Sequence, residues 1–182
     1  WRRPGLAWEF GGSGWVGYVA DGSSGLQVID MGDPANPATR GSVITPAFAQ
    51  GVTVSGSVAY VAAGDLQVVD VSEPANPAIV GSASTPGFAY GIAVSGSVAY
   101  VADGSSGLQV IDMSDPANPA TLGSVITPAF AQGVTVSGSV AYVAAGDLQV
   151  VDVSEPANPA IVGPASTPGF AYGIAVSGSV AD

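Results

Sequence analysis

The chain has 182 residues, of which 47% are hydrophobic and 9% are charged, so its apolar content is ample for a folded core. Fourteen acidic residues against three basic ones give a net charge of −11, which argues against nucleic acid and anionic membrane surfaces as partners, because both would repel the chain. Histidine, cysteine and lysine are absent, which excludes disulfides, thiolate or imidazole metal sites and the common nucleophile–base pairs of hydrolases.

Residues 1–16 form a degenerate N-terminal segment ahead of the first regular unit. Ser13 and Gly14 stand where Ser95 and Gly96 stand in a later unit, but the strand-forming residues before Ser95 have no counterpart before Ser13. The first unit is therefore expected to lack a good first strand.

From residue 17 onward the chain is a tandem repeat. Residues 17–100 recur almost letter for letter at 99–182, and each copy contains two related units of 40 and 42 residues. The predicted units are listed by number: 17–50, 51–90, 91–132 and 133–172, followed by a partial unit at 173–182. A period near 40 with several strand-like runs is typical of propeller blades.

Each unit contains four β-rich runs separated by turn residues, as in YGIAVSG, SVAYVA, GLQVIDM and ATLGSVIT. Ser-Gly joins the first two runs, and a loop that alternates between Asp-Gly-Ser-Ser-Gly and Ala-Gly-Asp joins the next two. A Pro-Ala-Asn-Pro turn precedes the fourth run, where its prolines forbid helix and strand alike. The apolar runs are far shorter than the ~20 residues that cross a bilayer, so no membrane insertion is expected.

These patterns predict an all-β protein, a β-propeller with about four blades of four antiparallel strands. In the third run, Leu108 and Val110 point to one side and Ile111 and Met113 to the other, so both sheet faces are apolar and sheets must pack on sheets. A β-solenoid is the competing architecture, although its coils are usually shorter.

The sequence is compatible with three arrangements of the blades. The C-terminal strand could dock beside Val16 to Ala20 and close four blades, or the chain could be an open part of a larger ring. Two chains could also combine as a homodimer that completes one ring.

Propeller geometry places the loops between second and third strands on one face together with the links between blades. Aromatic, amide and carboxylate groups there suit recognition of a glycan or a protein. The candidate ligand-binding residues are Gln50, Tyr90, Gln132 and Tyr172 at the mouth of the central channel, and Asp21, Asp65, Asp103 and Asp147 in the loops. The link phenylalanines are expected to fill gaps between blades.

The remaining acids are expected to be structural. Asp30, Asp70, Asp112 and Asp152 precede the Pro turns, where a carboxylate accepts backbone N–H bonds in an Asx turn. The loops at 21–25 and 103–107 resemble calcium loops in composition, but one carboxylate per loop is too few for a tight site. No metal, cofactor or catalytic residue is therefore predicted.

The runs GLQVIDMSDPANP, LQVVDVSEPANP and SVAYVADG, each followed by a Gly-rich first strand, resemble LVIVD-repeat proteins of bacteria and archaea. The resemblance implies a β-propeller, usually part of a large secreted or surface-anchored protein, with no established enzymatic activity. The chain departs from the motif by carrying glutamine at its second letter, at Gln27, Gln67, Gln109 and Gln149.

Three functions remain in view. The first is a non-catalytic binding or scaffold module of an extracellular or cell-surface protein. The second is a repeat spacer without a specific ligand, which near-identical units also suit. The third is a carboxylate-dependent hydrolase, which is disfavoured because the repeats give every acid the same environment, whereas paired-carboxylate catalysis needs two different ones.

Overall fold

The structure is a computed structural model that describes residues 15–177, and every regular element in that range is a β-strand. Fifteen strands form four antiparallel sheets, one for each repeat, which confirms the all-β propeller architecture. Most of the predicted degenerate segment 1–16 lies outside the described residues. No helix that could span a membrane occurs in residues 15–177.

The strands follow chain order within each sheet, from the channel outward. Blade 1 contains three described strands: β1 (Val16–Ala20), β2 (Leu26–Asp30) and β3 (Ala38–Val43). Blade 2 contains β4 (Gly51–Ser55), β5 (Val58–Ala63), β6 (Asp65–Asp70) and β7 (Ala78–Ala83). Blade 3 contains β8 (Gly91–Ser95), β9 (Val98–Ala102), β10 (Leu108–Asp112) and β11 (Ala120–Val125). Blade 4 contains β12 (Gly133–Ser137), β13 (Val140–Ala145), β14 (Asp147–Asp152) and β15 (Ala160–Ala165).

Turn chemistry explains where the strands end. The inner hairpins turn at Gly56, Gly96 and Gly138, whose φ angles of 58–60° are in the left-handed region that favours glycine. At the same end of the sheet, after the third strand, the Asp70 carboxylate accepts a hydrogen bond from the Ser72 N–H at 2.9 Å. The same Asx turn follows the third strand of every blade, as predicted.

The core lies between blades, because both faces of the central strands are apolar. Val61 and Leu66 of blade 2 and Val101 and Leu108 of blade 3 are all fully buried. Tyr100 is buried in the same cluster as Leu108, together with residues of blade 4, and this burial raises the pKa of its hydroxyl. The tyrosines inside second strands are thus packing residues, at least in the two middle blades, where they are buried.

Each blade meets the next at two glycines where the backbones approach closely. A Cβ on Gly91, at the start of inner strand β8, would lie 2.6 Å from the Gln132 carbonyl oxygen of blade 4. A Cβ on Gly81, in outer strand β7, would overlap the carbonyl of Pro116 in the Pro turn of blade 3. Gly81 adjoins a register shift between β6 and β7, so a β-bulge aims it at that turn. Equivalent glycines serve the other interfaces.

The four sheets form an open arc. The inner strands β4, β8 and β12 contact one another in order, and β1 contacts β4. Residues 172–177 form no strand, so the part of the predicted closing strand that the structure describes does not pair with β1. Of the closure alternatives, the described residues therefore fit the open arrangement.

Candidate functional site

The loop face is the side of the arc that carries the loops between second and third strands and the links between blades. An isolated β-bridge ties each link to the loop of its own blade: Gly22 to Ala49, Gly64 to Ala89, Gly104 to Ala131, and Gly146 to Ala171. Loop and link therefore lie side by side in every blade, in the arrangement that the sequence predicts.

The predicted channel-mouth residues stand directly before the inner strands. The backbone N–H of Tyr90 donates to the Ala102 carbonyl at 2.9 Å, so Tyr90 extends the β8–β9 pairing by one residue. Gln50 and Gln132 make the equivalent bond at 2.8 Å. Their side chains start at the edge of the channel, where Gln50 and Tyr172 are exposed and Tyr90 and Gln132 are half-buried.

The link phenylalanines do not fill gaps between blades as expected. Phe48, Phe130 and Phe170 are 59%, 57% and 78% exposed, and only Phe88 is half-buried. The reason is local, because the neighbouring alanine, such as Ala131, takes the buried position of the link. The phenylalanine is left above the loop of its own blade.

Phe88 and Tyr90 form an aromatic pair on this face. Their ring centroids are 5.2 Å apart, with the planes inclined by 49°. The Tyr90 ring also covers Gly104 of the next blade, so the pair sits above the contact between blades 2 and 3. Such a tilted pair is stabilising and presents a largely apolar surface.

An open groove of about 320 Å³ runs between the links of blades 3 and 4. Phe130 and Gln132 from the link of blade 3 line it, together with Phe170 and Tyr172 from the link of blade 4 and Gly146 from the loop of blade 4. A second depression of about 350 Å³ adjoins it and reaches the start of β14. The two together form a concave surface with aromatic walls and an amide group.

Asp103 differs from the other predicted loop acids because it is fully buried. One carboxylate oxygen accepts a hydrogen bond from the Thr85 hydroxyl at 2.7 Å, and the other accepts one from the Gly87 N–H at 2.9 Å. Burial raises the pKa of the Asp103 carboxyl, and the two hydrogen bonds act in the opposite direction. Asp103 therefore fastens blade 3 to the link of blade 2, and we call this arrangement the carboxylate latch.

The other loop acids are not buried in this way. Asp65 accepts a hydrogen bond from the Thr85 N–H at 2.9 Å, and Asp147 accepts one from the Thr167 N–H at 3.0 Å. Both bonds join a link to its own blade. Asp21 has the same sequence context as Asp103 but is exposed.

The acids of the Pro turns are outside the loop face. Asp115 accepts hydrogen bonds from the Asn118 amide at 2.9 Å and the Ala117 N–H at 3.1 Å, and these bonds lower its pKa. Asp33 is arranged in the same way with Asn36. Across residues 15–177, no group of three or more acidic, histidine or cysteine residues is placed to hold a metal ion.

The structural roles of three residues were not predicted from the sequence. Thr85 and Gly87 are the partners of the carboxylate latch, and Gln109 donates to the Ser106 carbonyl at 2.8 Å, which holds the long loop closed. A signal for the first two does exist in the sequence. The link before the long loop at 103–107 reads Thr-Pro-Gly-Phe, whereas the links at 45–48 and 127–130, which precede short loops, read Thr-Pro-Ala-Phe.

The comparison with protein families gives one match. The family model of the LVIVD repeat matches four times, at residues 7–45, 48–85, 86–127 and 130–167. Among curated proteins, none matches this chain in sequence.

Two solved structures are similar in fold. A functionally unknown protein from Desulfotomaculum acetoxidans superposes with a TM-score of 0.71 at 16% identity, over 86% of this chain and 54% of its own. The computationally designed Ika8 protein superposes with a TM-score of 0.68 at 11% identity, over 90% of this chain and 49% of its own. The chain thus spans about half the length of the solved structures it matches.

Proposed function

Because the chain belongs to the LVIVD-repeat family and folds into propeller blades, we propose that it is a non-catalytic binding module whose loop face recognises a glycan. The groove between the links of blades 3 and 4 is the observation that carries this proposal, since it places two exposed phenylalanine rings beside an amide. In line with the family resemblance, the module would work in an extracellular or surface-anchored protein.

The chemistry of the groove favours a neutral sugar. The apolar faces of a pyranose stack on aromatic rings such as Phe130, while its hydroxyls exchange hydrogen bonds with an amide such as Gln132. Both residues line the groove and belong to the same link. A net charge of −11 disfavours anionic glycans, because they would be repelled at low ionic strength.

A glycan array probed with the fluorescently labelled protein tests the proposal. Phe130→Ala and Gln132→Ala should each weaken binding about tenfold, or about 1.4 kcal/mol, because each removes one of the two kinds of contact. Leu122→Ala is the matched control, because Leu122 is an exposed apolar residue on outer strand β11, away from the groove.

Absence of any array signal for the wild-type protein would remove the glycan proposal. A peptide library on the same surface then tests a protein ligand, which aromatic and amide groups also suit. If neither the glycan array nor the peptide library shows binding, the spacer function is left, and the near-identical repeats favour it.

We propose no catalytic role. A carboxylate-dependent hydrolase would need an accessible acid, but the loop acid Asp103 is buried with each carboxylate oxygen engaged in a hydrogen bond. A general acid or base must reach the substrate proton directly or through one water.

A further inference from the structure

Blade 1 and the C-terminal segment are two incomplete parts of the same kind of blade. Strand β1 corresponds to the second strand of the other blades, so the described sheet of blade 1 has three strands where the others have four. Residues 173–177 have the sequence Gly-Ile-Ala-Val-Ser, which is identical to the inner strand β8. They are unpaired within the described structure.

The C-terminal segment begins where the inner strand of a fifth blade would begin. A Cβ on Gly133 would be 2.7 Å from the Tyr172 carbonyl oxygen and 3.1 Å from the Gly173 Cα. The corresponding distances from Gly91 to Gln132 and Gly133, at the contact between blades 3 and 4, are 2.6 Å and 3.0 Å. The geometry that joins successive inner strands is thus continued beyond blade 4.

We propose that two copies of this chain assemble head to tail, each supplying residues 173–177 as the inner strand of the other copy's blade 1. The β8–β9 pairing gives the register, because Ile92 pairs with Val101 and Ala93 with Tyr100. By the 82-residue repeat, Ile174 of one copy pairs with Val19 of the other. Two such composite blades close a ring of two arcs with twofold symmetry.

The free side of blade 4 carries glycines equivalent to those that allow close backbone contact at the internal interfaces. Gly81 in outer strand β7 presses on the Pro turn of blade 3, whereas its equivalent Gly163 has no atom within 4 Å of a Cβ position. Gly169 in the link and Gly173 in the inner segment are also open, although Gly87 and Gly91 are closely packed. The face is built for a further blade.

Blade 1 offers the complementary surface. Its Pro turn lines an apolar pocket of about 460 Å³ together with Trp15 and Met31, at the position where other blades receive the outer-strand glycine. Val19 is 47% exposed, while its equivalent Val101 is fully buried under an inner strand and a preceding blade. Docking would bury both features.

The carboxylate latch supplies polar specificity at this contact. In the internal latch, the Thr85 hydroxyl donates to Asp103, but the equivalent Thr167 hydroxyl donates to the Gly169 carbonyl at 2.9 Å. Asp21 has the loop sequence of Asp103 and is exposed. Rotation of the Thr167 hydroxyl onto Asp21 of the second copy would reproduce the latch, with Gly169 leaving room for the long loop.

A second copy fits better than the chain's own blade 1. In the described arc, the extensive contacts of the inner strands are with their neighbours in order, and strand β1 has no such contact with a strand of blade 4. The arc also superposes on about half of each of two larger solved structures, so its curvature is that of a larger assembly.

Solution mass is the first test. Sedimentation equilibrium should give twice the 17.7 kDa of one chain, with scattering that fits a closed disc. Gly163→Val and Gly169→Val should each restore the single-chain mass without unfolding the arc, because a Cβ at either position has no atom of the arc within 4 Å. A wild-type chain that stays at single mass at all concentrations overturns the proposal.

Cysteine cross-linking tests the register and the partner. The chain has no cysteine of its own, so a variant carrying Val19→Cys and Ile174→Cys should form a covalent dimer on mild oxidation. Tyr18→Cys with Ile174→Cys is the control, because a slip of one residue points the two side chains to opposite faces. A disulfide within one chain, at single-chain mass, would mean closure of a four-bladed ring and would refute the exchange between copies.

Discussion

The contact between Gly87 and the long loop of blade 3 lends itself to a quantitative test. A Cβ on Gly87 would overlap the Asp103 carbonyl and lie 2.9 Å from the Ser106 hydroxyl and 3.1 Å from the Asp103 carboxyl carbon. Gly87 is not among the glycines with positive φ, so alanine is sterically excluded by its neighbours and not by its own backbone. Gly87→Ala must therefore push the long loop away from the link.

The displacement should break the carboxylate latch. Two hydrogen bonds to a carboxylate, from Thr85 at 2.7 Å and from Gly87 at 2.9 Å, would be lost. Bonds to charged groups contribute about 1.5–3 kcal/mol each, so Gly87→Ala should lower the free energy of unfolding by about 3–6 kcal/mol. Urea unfolding of the dilute, monomeric protein measures this change, and Gly169→Ala is the control, with an expected effect within about 0.5 kcal/mol.

A rescue experiment separates this explanation from a general intolerance of alanine. Replacing residues 103–107 with the short Ala-Gly-Asp loop in the Gly87→Ala background should recover most of the lost stability. Ala47 already faces such a loop, with its Cβ 2.9 Å from the Cβ position of Gly64, and Thr45 there donates to the Ala47 carbonyl at 2.7 Å. A cost below about 0.5 kcal/mol for Gly87→Ala, or no recovery on loop replacement, would refute the reasoning.

Two further changes probe the same long loop. The fold raises the pKa of Asp103 by burial, which favours the protonated carboxyl, so its contribution to stability should be largest in acid and decline as the pH rises through the raised pKa. Between about pH 4 and about pH 7, the wild type should therefore lose unfolding free energy relative to the Asp103→Asn variant. A difference between the two proteins that does not change with pH would contradict the burial effect. Gln109→Val should cost about 1–3 kcal/mol in urea unfolding, because it leaves the Ser106 carbonyl without the bond at 2.8 Å; an unchanged midpoint would mean that the loop is held by other contacts.

Local pattern was enough to predict the blades. Runs such as Leu108 to Met113 are apolar on both faces and are bounded by glycine and proline. This pattern predicts β-sheets that pack against other sheets on both faces, as propeller blades do. The Asx turns followed from residue chemistry alone, since Asp112 accepts the Ser114 N–H at 2.8 Å whichever blade it belongs to. Such features depend on near neighbours in the chain.

Features that depend on the next blade could not be predicted in this way. Asp21 and Asp103 have the same loop sequence, yet Asp103 is buried and Asp21 is exposed, because the link of the preceding blade packs against Asp103. The predicted location of the link phenylalanines was wrong for a related reason. Their composition suggested a core role, but the register of the link buries Ala49 and its equivalents and leaves Phe48 outside.

The pairing of link and loop also sets a parity rule for any ring built from these units. A glycine link such as Gly87 accepts a long loop, and an alanine link such as Ala47 accepts a short one. An alanine link beside a long loop would place a Cβ in the loop backbone, whereas a glycine link beside a short loop would leave a gap. Because the two kinds alternate along the chain, every interface is matched only when the number of blades is even. The long loop at 21–25 and the glycine link of Gly169 are of matching kinds, so the contact that we propose between two copies obeys the same rule.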